Sequence, residues 1–435
     1  MSKKVILLGL NELNFDYIKF YASDGLLPNF SKLIEQYGVV ETTSESEYHL
    51  LEPWIQWVTV HTGKTYDEHK VYRLGDIVDK PDLSQIFEEV EKAGKKVGAV
   101  SPFNAANNLT NPSFFIPDPW TKTKVAGGFL TKKLYEGIHQ SVNENASSRL
   151  SFSSLLAIAG AVVTKVSPVR WPHYIGAFMK RRKPGYKAII LDSLLSDVFL
   201  SLWNKSQPDF SNLFLNTGAH VQHHYLFNSR AYSGNLKNPE WYCPQDYDPF
   251  IEVLKEYDNT LGRLMKKDVT LVIATGLHQN PHKHLTFYWR LQNHKEFLRS
   301  IGVSNFDSVL PRMSRDFLAE FNNEGDAIEA EKVLSSYIEP ESGKTIFEVD
   351  NRGKSLFVEL IFDEDVVEGM KITSKLSGNE VLNFKKYVSF VAIKNGEHNG
   401  IGYLISTGSK IDSSRMPLSE VKDLIKKEVL EEQLN

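Results

Sequence analysis

Val5-Ile6-Leu7-Leu8-Gly9-Leu10, followed by Asn11-Glu12-Leu13-Asn14-Phe15-Asp16, decides how this chain reads. Both alternate sets of side chains in the first six residues are apolar, which predicts a strand buried on both faces, as in the middle of a parallel sheet. Open α/β sheets hold ligands in the crevice beyond the carboxyl ends of such strands, so Asn11 and Glu12 are the first candidate site residues. Further apolar runs at 96–101, 213–215, 269–274 and 403–406 alternate with helical patterns at 14–21, 28–37, 83–93, 188–202 and 248–265. That rhythm predicts a three-layer α/β/α fold around a mostly parallel central sheet.

The 435 residues suit one large α/β domain with insertions. A formal net charge of −4 lacks the whole-chain basic footprint that nucleic-acid binding requires. Cys243 is the only cysteine, which excludes an intrachain disulfide and any cysteine-rich metal site. Met1-Ser2-Lys3-Lys4 leads directly into the first strand without an apolar leader, so a cytoplasmic protein is expected.

The rhythm breaks twice. Residues 104–186 mix Asn/Pro-rich loops, an apolar helix over 152–163 and the basic cluster Lys180-Arg181-Arg182-Lys183, and read as a helical insertion. It is expected to pack on the sheet with a solvated basic end; a cap over the site, or peripheral membrane contact through 150–183, is the sharper alternative. Residues 300–386 read as a second, β-rich insertion, with an acidic helix over 324–337 and antiparallel strands within 345–362. After Asn280 the chain reads as a histidine-containing loop and a helical stretch up to Arg299.

Several candidate site residues fall at predicted strand tips and helix starts. Glu52 precedes Pro53 at the start of a helix closed by Gly63, where unpaired amides hold anions well. Asn216 and His223 follow one strand, His278 follows another, and His398 lies in Gly396-Glu397-His398-Asn399-Gly400 before the last strand. His224, His282 and His284 read as solvated neighbours, and Trp54 with Trp57, at helical spacing, as core.

The order of these pieces resembles the alkaline phosphatase superfamily, in particular its type I phosphodiesterase/nucleotide pyrophosphatase branch. The pieces are the strand ending Gly9-Leu10-Asn11, then Leu27-Pro28-Asn29-Phe30-Ser31-Lys32-Leu33, the helix ending Thr62-Gly63, His69, His223, His278 and His398. The resemblance implies a phosphoester-cleaving site holding two divalent metals. It also implies an aspartate where Asn11 stands and a nucleophilic Thr or Ser where Glu52-Pro53 stands. Carboxylates are likewise implied at Ala219 and Leu277, each before a retained histidine.

With those carboxylates replaced, neutral imidazoles leave the charge of two metals uncompensated, so the ordinary two-metal mechanism is not expected. Two accounts follow. In the first, Glu12 and Glu52 act as the catalytic carboxylates, and His223, His278 and His398 hold a single zinc or manganese ion. Asn11, Asn216 and His69 then bind a small-molecule, glycan-linked or lipid-linked phosphate (or sulfate) ester. In the second, the chain is a catalytically inactive relative serving as a binding or scaffolding protein.

Overall fold

The computed structural model describes residues 4–143, 160, 162–312 and 315–430. Most of the helix expected over 152–163 lies outside the described residues. The chain divides into two compact units: residues 1–234, 239–281 and 396–435 form the first, and residues 235–238 and 282–395 form the second.

The first unit is built on an eight-stranded sheet. Its strands in chain order are β1 (Val5–Leu10), β2 (Val40–Thr43), β3 (Val97–Val100), β4 (Phe114–Ile116), β5 (Phe210–Leu215), β6 (Thr270–Ala274), Ile401–Ser406 and Arg415–Pro417. Their spatial order is Arg415–Pro417, β2, Ile401–Ser406, β6, β1, β5, β3, β4. Ile401–Ser406 runs antiparallel to both of its neighbours, and the remaining pairs are parallel. β1 sits between β5 and β6 in register Leu10 to Leu215 and Gly9 to Ala274, so three strands end side by side.

The alternation within β1 separates two cores. Ile6, Leu8 and Leu10 face a cluster with Phe15, Phe30, Val198, Phe199 and Leu254, while Val5 and Leu7 face one with Trp57, Val60, Phe87 and Ile425. Helices Phe15–Ser23, Pro28–Tyr37, Tyr186–Ser206 and Pro249–Leu264 therefore cover one face of the sheet. Helices Pro53–Thr62, Ile86–Lys92 and Val421–Leu430 cover the other. This is the three-layer α/β/α arrangement. Gly9 is required by packing: a Cβ there would stand 2.7 Å from Trp57 Cη2 and 2.8 Å from the Phe214 ring.

The second unit holds a four-stranded antiparallel sheet in the order Phe347–Asn351, Ser355–Leu360, Asp316–Phe321, Phe306–Pro311, with helix Glu324–Ser335 beside it. The alternating burial of Ser355–Leu360 is that of a strand with one covered face. One expectation is corrected here. Residues after Asn280 form neither a loop nor a long helix; strand His278–Leu291 continues through them, and the helix is confined to His294–Ser300. Leu285-Thr286-Phe287-Tyr288-Trp289 is rich in residues that favour extended backbone.

Helix Pro53–Thr62 carries a buried ionisable group. His61 is fully buried between the rings of Trp57 and Phe87, and neither ring nitrogen has a hydrogen-bond partner. Burial disfavours the imidazolium and pushes its pKa down from 6.5 to about 3. The unfolded chain takes up this proton below its ordinary pKa while the folded chain refuses it. Stability is thus intact above that pKa and is lost as pH falls toward the folded value. We expect His61→Leu to lessen the loss of unfolding free energy between pH 7 and pH 4.5, by about 2 kcal/mol. Urea titrations at the two pH values check this, and an equal acid-induced loss in both proteins would contradict it.

Candidate metal centre

Four chain segments deliver polar side chains to one end of the sheet. Asn11 and Glu12 follow β1, Asn216 follows β5, Thr275 to Gln279 follow β6, and His398 precedes the antiparallel strand Ile401–Ser406. His223 comes from helix Thr217–Tyr225, which begins directly after β5. That helix is fixed at its start: the backbone N–H of Thr217 donates to buried Asp192 at 2.8 Å, and Tyr257 donates to the same carboxylate oxygen at 2.7 Å. Gly218 lies against Leu13 and Tyr257, where a Cβ would stand 2.4 Å from Leu13 Cδ2.

Glu12, His223 and His398 meet. His223 Nε2 lies 3.0 Å and His398 Nε2 3.1 Å from the same oxygen, Glu12 Oε2, and the two imidazole nitrogens are 3.3 Å apart. Among the described residues these three form the group of His, Cys, Asp and Glu whose donor atoms all lie within 4.8 Å of one another. The Glu12 side chain is 3% exposed, that of His398 14% and that of His223 31%, so the group opens to solvent past His223. Burial alone would raise the pKa of the Glu12 carboxyl. The opposing charges of His398 and His223, with their hydrogen bonds, outweigh it and hold the carboxylate ionised well below its usual range.

The carboxylate is held by further groups. Gln279 Nε2 donates to Glu12 Oε2 at 2.5 Å and Asn11 Nδ2 donates to Oε1 at 3.0 Å. Asn11 is itself oriented, because Trp57 Nε1 donates to its Oδ1 at 2.8 Å and its Nδ2 also reaches Asn216 Oδ1 at 2.8 Å. The backbone of Glu12 is left-handed, with φ of 57°. For a residue other than glycine that costs roughly 1–3 kcal/mol and persists only where neighbours enforce it. Here the N–H of Glu12 donates to Thr275 O at 3.0 Å and its carbonyl accepts from Gln222 Nε2 at 2.8 Å. Gln279 fits because residue 396 is glycine; a Cβ there would lie 1.9 Å from Gln279 Oε1.

Glu52 is placed on the other side of His398, with Oε2 3.8 Å from Nδ1. The structure does not bring His278 into the group. Its Nδ1 lies 2.6 Å from Ile401 O and its Nε2 3.0 Å from Asn280 Oδ1. Successive residues of a strand point to opposite faces, and it is Gln279 that reaches Glu12. His69 is buried elsewhere, its Nδ1 accepting from the Val71 N–H at 3.0 Å and its Nε2 3.3 Å from Thr59 Oγ1. The Asn11 amide is engaged with Glu12, Asn216 and Trp57, and Asn216 Oδ1 accepts from Asn11. Gln279, absent from the sequence expectations, is the supporting residue they missed; a neutral amide beside a histidine carries no pattern of its own.

The donor set fits a single transition metal. Ligands about 2.0–2.2 Å from a tetrahedral zinc lie roughly 3.3–3.5 Å from one another. The three separations here, 3.0, 3.1 and 3.3 Å, are close to those edges. One carboxylate and two imidazoles are ligands zinc and manganese both accept, and three protein donors leave a position for water or substrate.

No protein-family model matches the chain, and neither does any curated protein. Solved structures do. A phosphonoacetate hydrolase from Sinorhizobium meliloti, crystallised with phosphonoacetate, is similar at a TM-score of 0.45 and 12% identity, over 98% of this chain and 96% of that one. Human ectonucleotide pyrophosphatase/phosphodiesterase 5 is similar at a TM-score of 0.44 and 12% identity, over 100% of this chain and 96% of that one. A murine form in complex with AMP gives a TM-score of 0.45 at the same identity and coverage. At such scores the likeness is one of overall chain path and assigns no role to any residue here.

Protein purified from zinc-supplemented, chelator-free buffer is expected to hold about one transition metal per chain. His223→Ala and His398→Ala each release it, and His278→Ala retains it. Elemental analysis decides: a metal-free wild type, or a metal lost with His278 and kept without His223, contradicts the assignment.

Proposed function

We propose that the protein cleaves a phosphate ester, with a sulfate ester as the close chemical alternative, at a single zinc or manganese ion held by Glu12, His223 and His398. The observation that carries this reading is the triangle of donor atoms, one carboxylate oxygen and two imidazole nitrogens, with edges of 3.0, 3.1 and 3.3 Å. When bound, such an ion polarises an ester oxygen and acidifies a water molecule. The chain supplies the rest. Glu12 contributes the charge nearest the cation, and Asn11 and Gln279 fix the orientation of its carboxylate. The partly exposed side of His223 gives access for substrate and water.

Water is the nucleophile in this reading, since no serine or threonine stands at Glu52-Pro53. A water oxygen bonds to phosphorus as the ester P–O bond breaks; the water loses a proton and the departing alkoxide gains one. Glu52 acts as a positioning residue. Facing Nδ1 of His398, it favours the tautomer that keeps a proton there and leaves Nε2 available as a ligand. Small-molecule, glycan-linked and lipid-linked phosphoesters all belong to the substrate class.

A second reading rests on one observation: Glu12 Oε2 lies within hydrogen-bond distance of His223, His398 and Gln279 together, so side-chain donors by themselves can satisfy the carboxylate. In that case the cleft is a binding surface with no turnover. Aryl phosphodiesters, monoesters and sulfates, assayed with added zinc or manganese, separate the two. Hydrolysis is expected, with Glu12→Gln losing both metal and activity. Glu52→Gln is expected to keep the metal but lower kcat by about tenfold to a hundredfold and to shift the pH profile. Metal-loaded wild type that turns over none of the three ester classes would overturn hydrolysis in favour of binding. Unchanged kcat and pH profile in Glu52→Gln would remove Glu52 from the mechanism.

A further inference from the structure

Helix Trp171–Met179 is amphipathic in the inverted sense. Its inward side is polar and ionic. Tyr174 donates to Asp197 at 2.7 Å, and His173 lies 3.4 Å from Ser193 Oγ and 3.5 Å from Glu256. Just before the helix, Arg170 is paired with Glu256 at 2.7 Å and with Asp197 at 3.3 Å. Asp197 and Glu256 are buried residues of helices Tyr186–Ser206 and Pro249–Leu264, so this network pins the short helix in one rotation. The outward side is apolar: Ile175, Phe178 and Met179 are 64%, 60% and 72% exposed, with Trp171 at 41%. Spacings of four, three and one residues place these four on one face. Val169, immediately before, is 87% exposed.

Charge says what covers this face. No aspartate or glutamate occurs from Asn145 through Leu191, whereas Lys180-Arg181-Arg182-Lys183 follows the helix directly. The Arg181 guanidinium lies 4.0 Å above the Phe178 ring and donates to Phe178 O at 2.9 Å, so cationic and apolar groups share one surface. Of the four basic residues, Lys180 has a carboxylate neighbour, Glu252 at 3.5 Å. A second folded copy meeting this surface would have to bring the same basic cluster opposite itself. An anionic lipid surface instead takes apolar side chains below its headgroups and cations among them. Among the described residues no helix is long and apolar enough to cross a membrane, so the contact is one of lying on the surface.

We propose that helix Trp171–Met179 and the adjoining Lys180–Lys183 cluster dock the protein on the surface of an anionic bilayer. The contact needs no chemistry at the metal centre and stands independently of the proposed hydrolysis.

Co-sedimentation of the full chain with extruded vesicles tests it, using phosphatidylcholine alone against phosphatidylcholine with roughly a third phosphatidylserine. We expect at least about tenfold tighter binding to the anionic vesicles, weakened by added salt. The double variant Ile175→Asp/Phe178→Asp and the double variant Arg182→Glu/Lys183→Glu should each lower the affinity by about tenfold or more. Thermal unfolding checks that both variants remain folded. Because the two act through different groups, vesicle binding that survives both overturns the proposal, as does equal binding to neutral vesicles. A dimer in sedimentation velocity that Ile175→Asp/Phe178→Asp abolishes would overturn it too, by assigning the face to a second copy. If residues 144–159 of the same chain cover the face, the wild type binds neither kind of vesicle, and the proposal falls in the same way.

Discussion

One carboxylate oxygen organises this molecule's functional end. Glu12 Oε2 faces the Nε2 atoms of His223 and His398 and the amide of Gln279 at once, from a buried side chain. Two imidazole nitrogens 3.3 Å apart, both turned on the same oxygen, constrain what the space between them can hold. Without a cation, at least one Nε2 must donate to the carboxylate; with one, both are free as ligands and the carboxylate offsets part of the charge. The surrounding structure serves that choice. Trp57 fixes Asn11, Asn11 and Gln279 fix Glu12, and strained backbone at Glu12 is held from β6 and from helix Thr217–Tyr225.

Position along the chain explains why these residues meet. The parallel strands β1, β5 and β6 end together and the antiparallel strand Ile401–Ser406 starts at the same edge, so residues at these ends meet whatever their chemistry. Asn11, directly after β1, positions the carboxylate of the next residue instead of supplying one. The left-handed turn at Glu12 sends that side chain into the space between the histidines. With a single carboxylate in the group and Glu52 beyond His398, the charge present suits one divalent cation better than two.

Much of this was legible in the residues. The double-sided apolar run of β1 identified the sheet, and its carboxyl end identified Asn11 and Glu12. What escaped depended on geometry finer than a pattern of residue types. His278 and Gln279 are neighbours on an extended segment, and a one-residue offset decides which of them faces Glu12; the histidine was the conspicuous residue and the amide the one in contact. Helix Thr217–Tyr225 was hidden because Gly218 and three histidines carry weak helix propensity, while its stability comes from Asp192, Tyr257 and the packing of Gly218. Likewise, nothing in the sequence of Trp171–Met179 said which face is turned inward; the buried pairing of Arg170 and Tyr174 with Asp197 decides that.

The central claim is that Glu12, His223 and His398 hold one metal ion. Anomalous diffraction from zinc-grown crystals, recorded on both sides of the zinc absorption edge, addresses it directly. One strong peak is predicted at about 2.0–2.2 Å from a Glu12 carboxylate oxygen and from Nε2 of both histidines. A difference map without a peak there, with the three side chains still hydrogen-bonded to one another, would contradict it.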